Sequence, residues 1–361
     1  MQLPLTNDFL SIVLNETPLL DVRAPVEFHK GAFANASNVP ILDDEERTLV
    51  GTMYKKEGNA AAVKLAEELI KNEGKELRVA KWREFLKQNP TALLYCFRGG
   101  QRSGISQSWL HQAGMNVTRL KGGYKAFRNF LMDESLRISE KTNTLILGGR
   151  TGSGKTLLLP FIENSIDLEG VANHRGSTFG NFIDSQPSQI DFENNLAYKL
   201  IQFDAQNFTH LVIEHESHNI GRTFMPKPVY ENLMRGKLII LETPIDKRVD
   251  ITYHEYITVT LEDYAKSFGD EGVDRWAEDI FFRLEKIKKR LGDEFYRELK
   301  NIFENSLYLH KTRGEVEGYK EFIKKLLENY YDPMYDYQIQ KSLIPIVFRG
   351  NAEEVLSFIK L

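Results

Sequence analysis

The sequence predicts an α/β protein in three parts. An N-terminal parallel-sheet domain covers residues 1–133, a second α/β domain built on a phosphate loop covers 134–271, and a mainly helical C-terminal region covers 272–361. Three observations predict it. Short apolar runs that read as strands alternate with helix-like segments, the pattern of parallel sheets. A glycine-rich loop, Gly149 to Thr156, stands between such a strand and a helix-compatible run. Beyond about Gly272, apolar residues recur at spacings of three and four.

Taken in order, Leu19-Leu20-Asp21-Val22-Arg23 reads as a short buried strand ending in charged residues. Asn59 to Asn72 is rich in Ala, Leu, Glu and Lys with helical apolar spacing. Ala92 to Cys96 is a second strand with the cysteine at its C-terminal end, and Gly104 to Ala113 a helix stopped by Gly114. A polar stretch, Glu134 to Asn143, leads into the strand Thr144 to Leu147, and further strands follow at His210–Ile213 and Lys237–Leu241. In the last region Trp276, Ile280, Phe281, Leu284, Ile287 and Leu291 share one helical face.

A chain of 361 residues exceeds one ordinary core, and 42% hydrophobic with 27% charged residues is the balance of a soluble globular protein. Residues Met1 to Asp8 lack the basic start and apolar run of a signal peptide, and no apolar stretch nears the ~20 residues needed to cross a bilayer. One cysteine forbids an intrachain disulfide and suits a reducing compartment, so a cytoplasmic location without membrane attachment is expected. The net charge of −4 neither demands nor excludes a nucleic-acid partner. The basic run Lys286, Lys288, Lys289, Arg290 lies in a helical segment and reads as a solvated face.

Gly149-Arg150-Thr151-Gly152-Ser153-Gly154-Lys155-Thr156 satisfies the full phosphate-loop pattern in its strand-to-helix context. Gly149, Gly152 and Gly154 let main-chain amides around Ser153 turn toward phosphate oxygens, Lys155 adds a mobile charge, and the Thr156 hydroxyl is placed to ligate magnesium. An acidic partner is expected from a neighbouring strand end, where Glu214 and Glu216 stand. Either can hold the metal through water, act as a base, or be a solvated terminus. The motif specifies phosphate or diphosphate; it specifies neither ATP nor hydrolysis.

Cys96-Phe97-Arg98-Gly99-Gly100-Gln101-Arg102-Ser103 places a cysteine at a strand end, five residues before an arginine. Small residues allow the loop to curl its amides toward sulfur, and Arg98 and Arg102 favour the thiolate, which is the nucleophile. Two chemistries use such a loop, phosphoester hydrolysis and sulfur transfer. A tyrosine, Tyr95, stands where phosphatases of this type typically carry histidine. Asp21-Val22-Arg23, Glu27-Phe28-His29-Lys30-Gly31, Ala36-Ser37-Asn38-Val39-Pro40 and the closing Leu120-Lys121-Gly122-Gly123-Tyr124 resemble a rhodanese domain. That resemblance makes Cys96 a chalcogen carrier and gives Asp21 and Arg23 a structural role at the sheet edge near the loop.

A rhodanese-like domain followed by a P-loop NTPase-like domain, with Tyr95–Gly100 and Gly148–Thr156, resembles the bacterial tRNA 2-selenouridine synthases. Glu46–Tyr54, His174–Gly180 and Tyr330–Tyr335 are similar to that family as well. The family often carries aspartate where His215 stands, which leaves open whether Glu214 or Glu216 is the working acid. The resemblance implies a transferase that replaces sulfur by selenium in the wobble 2-thiouridine of tRNA. Selenophosphate, from a supplying enzyme, would be the donor, and an S-geranylated intermediate would be made from geranyl diphosphate. Both are co-substrates, with no tightly bound cofactor beyond a possible Mg ion. On that scheme the phosphate loop binds the departing diphosphate, while Cys96 either receives selenium as a perselenide or assists its delivery. His174, Arg175, Ser177 and Thr178 are candidate contacts to phosphate or uridine, or an ordinary polar loop. The Tyr330–Tyr335 aromatics either stack on bases or pack against the helical region. The competing reading is an ATP-dependent kinase or NTPase carrying a rhodanese-like sulfurtransferase domain.

Overall fold

The computed structural model describes residues 3–179 and 182–360. Met1, Gln2, Leu361 and Gly180, which ends the His174–Gly180 stretch, lie outside them. The chain forms two compact units, residues 1–141 with 187–207, and 142–186 with 208–361.

The first unit holds five parallel strands: β1 (Leu5–Thr6), β2 (Leu19–Asp21), β3 (Ala36–Asn38), β4 (Leu93–Tyr95) and β5 (Thr118–Leu120), in the order β1-β5-β4-β2-β3. Leu20, Val22, Leu94, Trp82 and Leu110 form its core on one side. Asp21 ends the inner strand β2 and Arg23 lies just beyond it, so the pair works inside the sheet and not at its edge. Arg23 Nε donates to Asp21 at 2.8 Å and its terminal nitrogen to the Gly31 carbonyl at 2.9 Å, and its guanidinium lies 4.0 Å from the Tyr124 ring centre.

Two segments depart from the sequence expectation here. The stretch from Glu134, read as a polar lead-in, continues the Gly123–Lys141 helix, so the boundary drawn at 133/134 falls inside an element. Its buried side is Leu131, Ser135, Ile138 and Ser139; the serines masked an amphipathic helix. The helix Gln189–Ala205 belongs to this unit although its sequence position lies beyond the phosphate loop. Arg128 donates to Asn194 at 2.7 Å, the Ala32 amide donates to Asp191 at 2.6 Å, and Phe127 meets Tyr198.

The second unit is built on five parallel strands: β6 (Thr144–Gly148), β7 (Ser165–Ile166), β8 (Leu211–Glu214), β11 (Lys237–Leu241) and β12 (Ile346–Gly350), with a two-stranded ribbon of β9 (Asn219–Ile220) and β10 (Thr223–Phe224) between β8 and β11 in sequence. The sheet order is β12-β11-β6-β8-β7. The phosphate-loop strand is therefore central, with β8 and its carboxylates beside it. Long helices, among them Gly272–Leu291 and Asp293–Arg313, pack through Trp276, Leu284, Phe303 and Tyr319. Lys286, Lys289 and Arg290 sit on the exposed side of the first. The C-terminal region is not purely helical: β12 joins β11, and Val355 and Ile359 enter the sheet core. Its outward residues Ile346 and Val347 are partly exposed, as suits an edge strand.

Candidate functional site

Cys96 leaves β4 and is buried, with Sγ 3.1 Å from the Ser103 hydroxyl. The loop is clamped from its carbonyl side. Tyr124 N–H donates to the Cys96 carbonyl and Lys125 N–H to that of Phe97, each at 2.9 Å; Arg119 donates to the carbonyls of Gly99 and Gly100 at 2.6 and 3.1 Å. A trans peptide sets each N–H opposite the preceding C=O, so the amides of Phe97, Arg98, Gly100 and Gln101 point away from the clamp. Gly99 has φ +62°, and a Cβ there would lie 2.8 Å from the Gly122 nitrogen; a Cβ on Gly123 would come closer still, to the Cys96 carbonyl oxygen. This explains why the Gly-Gly of the closing segment accompanies the cysteine loop.

The two arginines flanking the cysteine differ. Arg98 is exposed. Arg102 forms a two-pronged ion pair with Glu27, one prong at 3.0 Å. Burial opposes ionisation of Glu27, but the Arg102 guanidinium overrides it and holds the carboxyl below its usual range. Glu27 and Arg119 are thus parts of the loop that its own sequence did not reveal; they come from distant segments.

In the second unit Gly149, Gly152 and Gly154 all have positive φ, at +157°, +74° and +86°. Lys155 Nζ lies 3.2 Å from the Gly149 carbonyl, and Thr243 Oγ1 donates to the Ser153 carbonyl at 2.9 Å. The helix that follows is one turn, Lys155–Leu158, tightened at Leu159–Phe161 where Pro160 ends it. With so short a helix, an anion here would depend on the loop amides and Lys155 more than on a helix dipole. Arg248 is buried, donates to the Thr151 carbonyl at 2.9 Å and holds Asp332 through two bonds of 2.9 and 2.6 Å. Arg150 reaches Asp336 at 2.7 Å.

Of the two candidate acids, Glu214 touches Thr156: the hydroxyl donates to its Oε1 at 2.9 Å. Glu214 is wholly buried, while half-buried Glu216 lines the cavity above. A third carboxylate, Glu169, was not foreseen. It follows the two-residue strand β7, too short to read from sequence, and its amide donates to Glu214 at 3.3 Å. Burial and mutual repulsion push all three carboxyls well above the carboxylate range, against the attraction of Lys155. Thr156 and these carboxylates are hard oxygen donors that suit magnesium shared with a substrate phosphate. Among the described residues, no group of three or more His, Cys, Asp or Glu side chains makes a self-sufficient metal site.

The loop opens into a cavity of about 540 Å³. Arg175 and Ser177 line it; His174 is buried beside it and Thr178 lends its carbonyl to Arg283 at 2.9 Å. Arg175 lies 4.1 Å from the Phe182 ring centre, and Ser177 shares a 2.9 Å hydrogen bond with Tyr256. Ile251, Tyr256, Tyr331, Met334 and Tyr335 form an apolar and aromatic wall. Tyr330 and Tyr331 are buried against the helical region. Two π-helical turns, His254–Thr258 and Leu327–Tyr331, deliver Glu255, Tyr256 and Tyr331 to this wall. Such turns recur at functional sites and carry no local sequence signal.

Fold and sites together define a two-domain protein that pairs a rhodanese-like domain, with a buried free cysteine in its loop, with a P-loop domain. The rhodanese-like domain family matches residues 7–130, and the tRNA 2-selenouridine synthase AAA domain matches residues 142–361. The tRNA 2-selenouridine synthase of Sulfurovum sp. (strain NBC37-1) is 52% identical over 359 residues, covering 99% of each chain. That of Hydrogenovibrio crunogenus (strain DSM 25203 / XCL-2) is 44% identical, over 99% of this chain and 98% of its own. That of Shewanella frigidimarina (strain NCIMB 400) is 41% identical, over 97% and 96%. The chain belongs to the tRNA 2-selenouridine synthase family. Among the described residues, no helix is long and apolar enough to cross a membrane.

Proposed function

We propose that this chain exchanges sulfur for selenium at the wobble 2-thiouridine of tRNA in two steps, alkylation at the phosphate loop and selenium delivery at the cysteine loop. The observation that carries the first step is the juxtaposition of an anion cradle with an apolar wall in one cavity of about 540 Å³, which suits a prenyl diphosphate such as geranyl diphosphate. The thiouridine sulfur attacks the first carbon of the prenyl group. A sulfur–carbon bond forms, the carbon–oxygen bond breaks, and the diphosphate leaves with the electron pair. Lys155 and the amides of Gly152 to Thr156 hold that growing charge. Thr156 and Glu214 would hold a Mg²⁺ ion, which would supply further positive charge when bound.

In the second step a carbon–selenium bond forms at C2 of the base, and the carbon–sulfur bond breaks to release the prenyl thiol. Selenium in selenophosphate is already fully reduced, so delivery balances without electron transfer if water takes the phosphoryl group. Transfer of neutral selenium to Cys96 as a perselenide would leave phosphite. Assistance within the amide-lined loop, with Arg102 near the sulfur, is therefore the role assigned to Cys96. Arg175 and Ser177, which line the cavity, would meet the diphosphate or uridine, with His174 and Thr178 supporting their loop.

The test is nucleoside mass spectrometry of thiolated tRNA incubated with enzyme, geranyl diphosphate and selenophosphate, each omitted in turn. Cys96→Ala is expected to stop at the geranylated nucleoside. Lys155→Ala is expected to lose alkylation by about 100-fold or more. Full selenouridine from Cys96→Ala, or unchanged alkylation by Lys155→Ala, overturns the assignment. A nucleotide requirement for alkylation moves the phosphate loop to the kinase or NTPase reading.

A further inference from the structure

The first unit contains a second large cavity, about 530 Å³, that no step above uses. Its walls are hydrocarbon: Val50, Val63, Ala66, Ile70, Ile105 and Trp109 line it. Ile105 and Trp109 lie three and seven residues after Arg102 on the Gln101–Gln112 helix, one stripe running from the cysteine loop into the cavity. Glu27, Gln101 and Arg102 line it as well, so hydrocarbon and loop are continuous. The Asp44–Glu57 helix, which carries the Glu46–Tyr54 stretch, buries none of its side chains fully. Its Val50 and Tyr54 line the cavity, and it also contributes two exposed cations, Arg47 and Lys55.

An apolar hollow carrying exposed cations beside a reactive loop is complementary to one kind of molecule, a hydrocarbon chain attached to a polyanion. We propose that this cavity holds the prenyl chain of the S-prenylated uridine in RNA while selenium replaces the sulfur, with Arg47 and Lys55 against the phosphodiester backbone. The inference rests on the two-step reading above and adds where the intermediate is recognised. In the exchange the C2–selenium bond forms as the C2–sulfur bond breaks, and the electron pair departs on sulfur and takes a proton. The cavity retains the resulting prenyl thiol. Unalkylated 2-thiouridine offers it nothing to bury, so the unit selects the alkylated base by its hydrocarbon.

The test uses the full-length protein and anticodon stem-loop RNAs carrying S-methyl- or S-geranyl-2-thiouridine, measuring affinity by fluorescence anisotropy and conversion with selenophosphate. Wild type is expected to bind and convert the S-geranyl RNA about 100-fold better than the S-methyl RNA. Val63→Trp, which fills the cavity, is expected to reduce the S-geranyl RNA to the S-methyl level while alkylating thiolated tRNA at the wild-type rate. Val50→Gln, a smaller change on a half-buried helix position, is expected to narrow the preference should Val63→Trp fold poorly by thermal melting. Equal handling of both RNAs by wild type overturns the cavity proposal and leaves the two-step reading standing, as does a preference unchanged in folded Val63→Trp and Val50→Gln alike. Failure of wild type to convert S-geranyl RNA at all overturns both.

Discussion

At the scale of single residues, the acids around Thr156 show how much a neighbour changes a side chain. Glu214 was visible as an acid at a strand end, and so was Glu216. Only the parallel pairing of β8 with β6, which sets Glu214 opposite Leu147, brings the former to the Thr156 hydroxyl. Burial and the nearness of Glu169 make its proton harder to remove. In the unfolded chain the same carboxyls ionise near 4.5. Between that value and the raised folded value, the native state binds more protons than the unfolded one, so stability falls as pH rises. Metal-free protein is therefore expected to melt at progressively lower temperature from about pH 5 to about pH 8, and Glu214→Gln to flatten that slope. Thermal melts across the range, with and without Mg²⁺, check it; identical slopes for the two proteins would count against the carboxylate cluster as the cause. Cys96 and Lys155 were legible because their motifs are contiguous. Glu27, Arg119 and Glu169 were not, because each acts on a segment far away in sequence.

At the scale of elements, loops were read more securely than helices. Gly152 has φ +74°, and a Cβ there would stand 2.3 Å from Thr252 Oγ1 and 2.9 Å from the Arg248 carbonyl. Gly152→Ala must move backbone as well as a side chain. It is expected to abolish alkylation and to cost roughly 1–3 kcal/mol of stability, measured by urea unfolding. The Arg248–Asp332 pair joins two helices to the back of the phosphate loop through Thr151. Asp332→Ala leaves a buried guanidinium without its partner, and a loss of about 3 kcal/mol is expected from denaturant titration. A change below about 0.5 kcal/mol would show that Arg248 is held by other contacts.

At the scale of the whole molecule, the chain leaves the phosphate-loop unit after Gln186 to place one helix on the cysteine-loop unit, and returns at Phe208. Phe192, Leu196, Ala197, Leu200 and Ile201 are buried by that helix. A fragment ending at Lys141 lacks it and uncovers the partner face of Gly123–Lys141, including Phe127 and Leu131. Such a fragment is expected to aggregate or to melt well below one in which residues 187–207 are joined back by a flexible linker. Circular dichroism and light scattering distinguish the two; equal stability would mean that the helix is dispensable to the unit.

The sequence by itself determined the α/β class, the cysteine loop, the phosphate loop and the family they resemble, because turn chemistry and residue periodicity are local properties. Tertiary structure alone decided which carboxylate meets Thr156, which unit owns the Gln189–Ala205 helix, that β12 completes the second sheet, and that π-helical turns and a hydrocarbon cavity stand beside the two loops. Those features depend on pairings between residues tens to hundreds of positions apart, where burial and register outweigh anything a short stretch of chain can express.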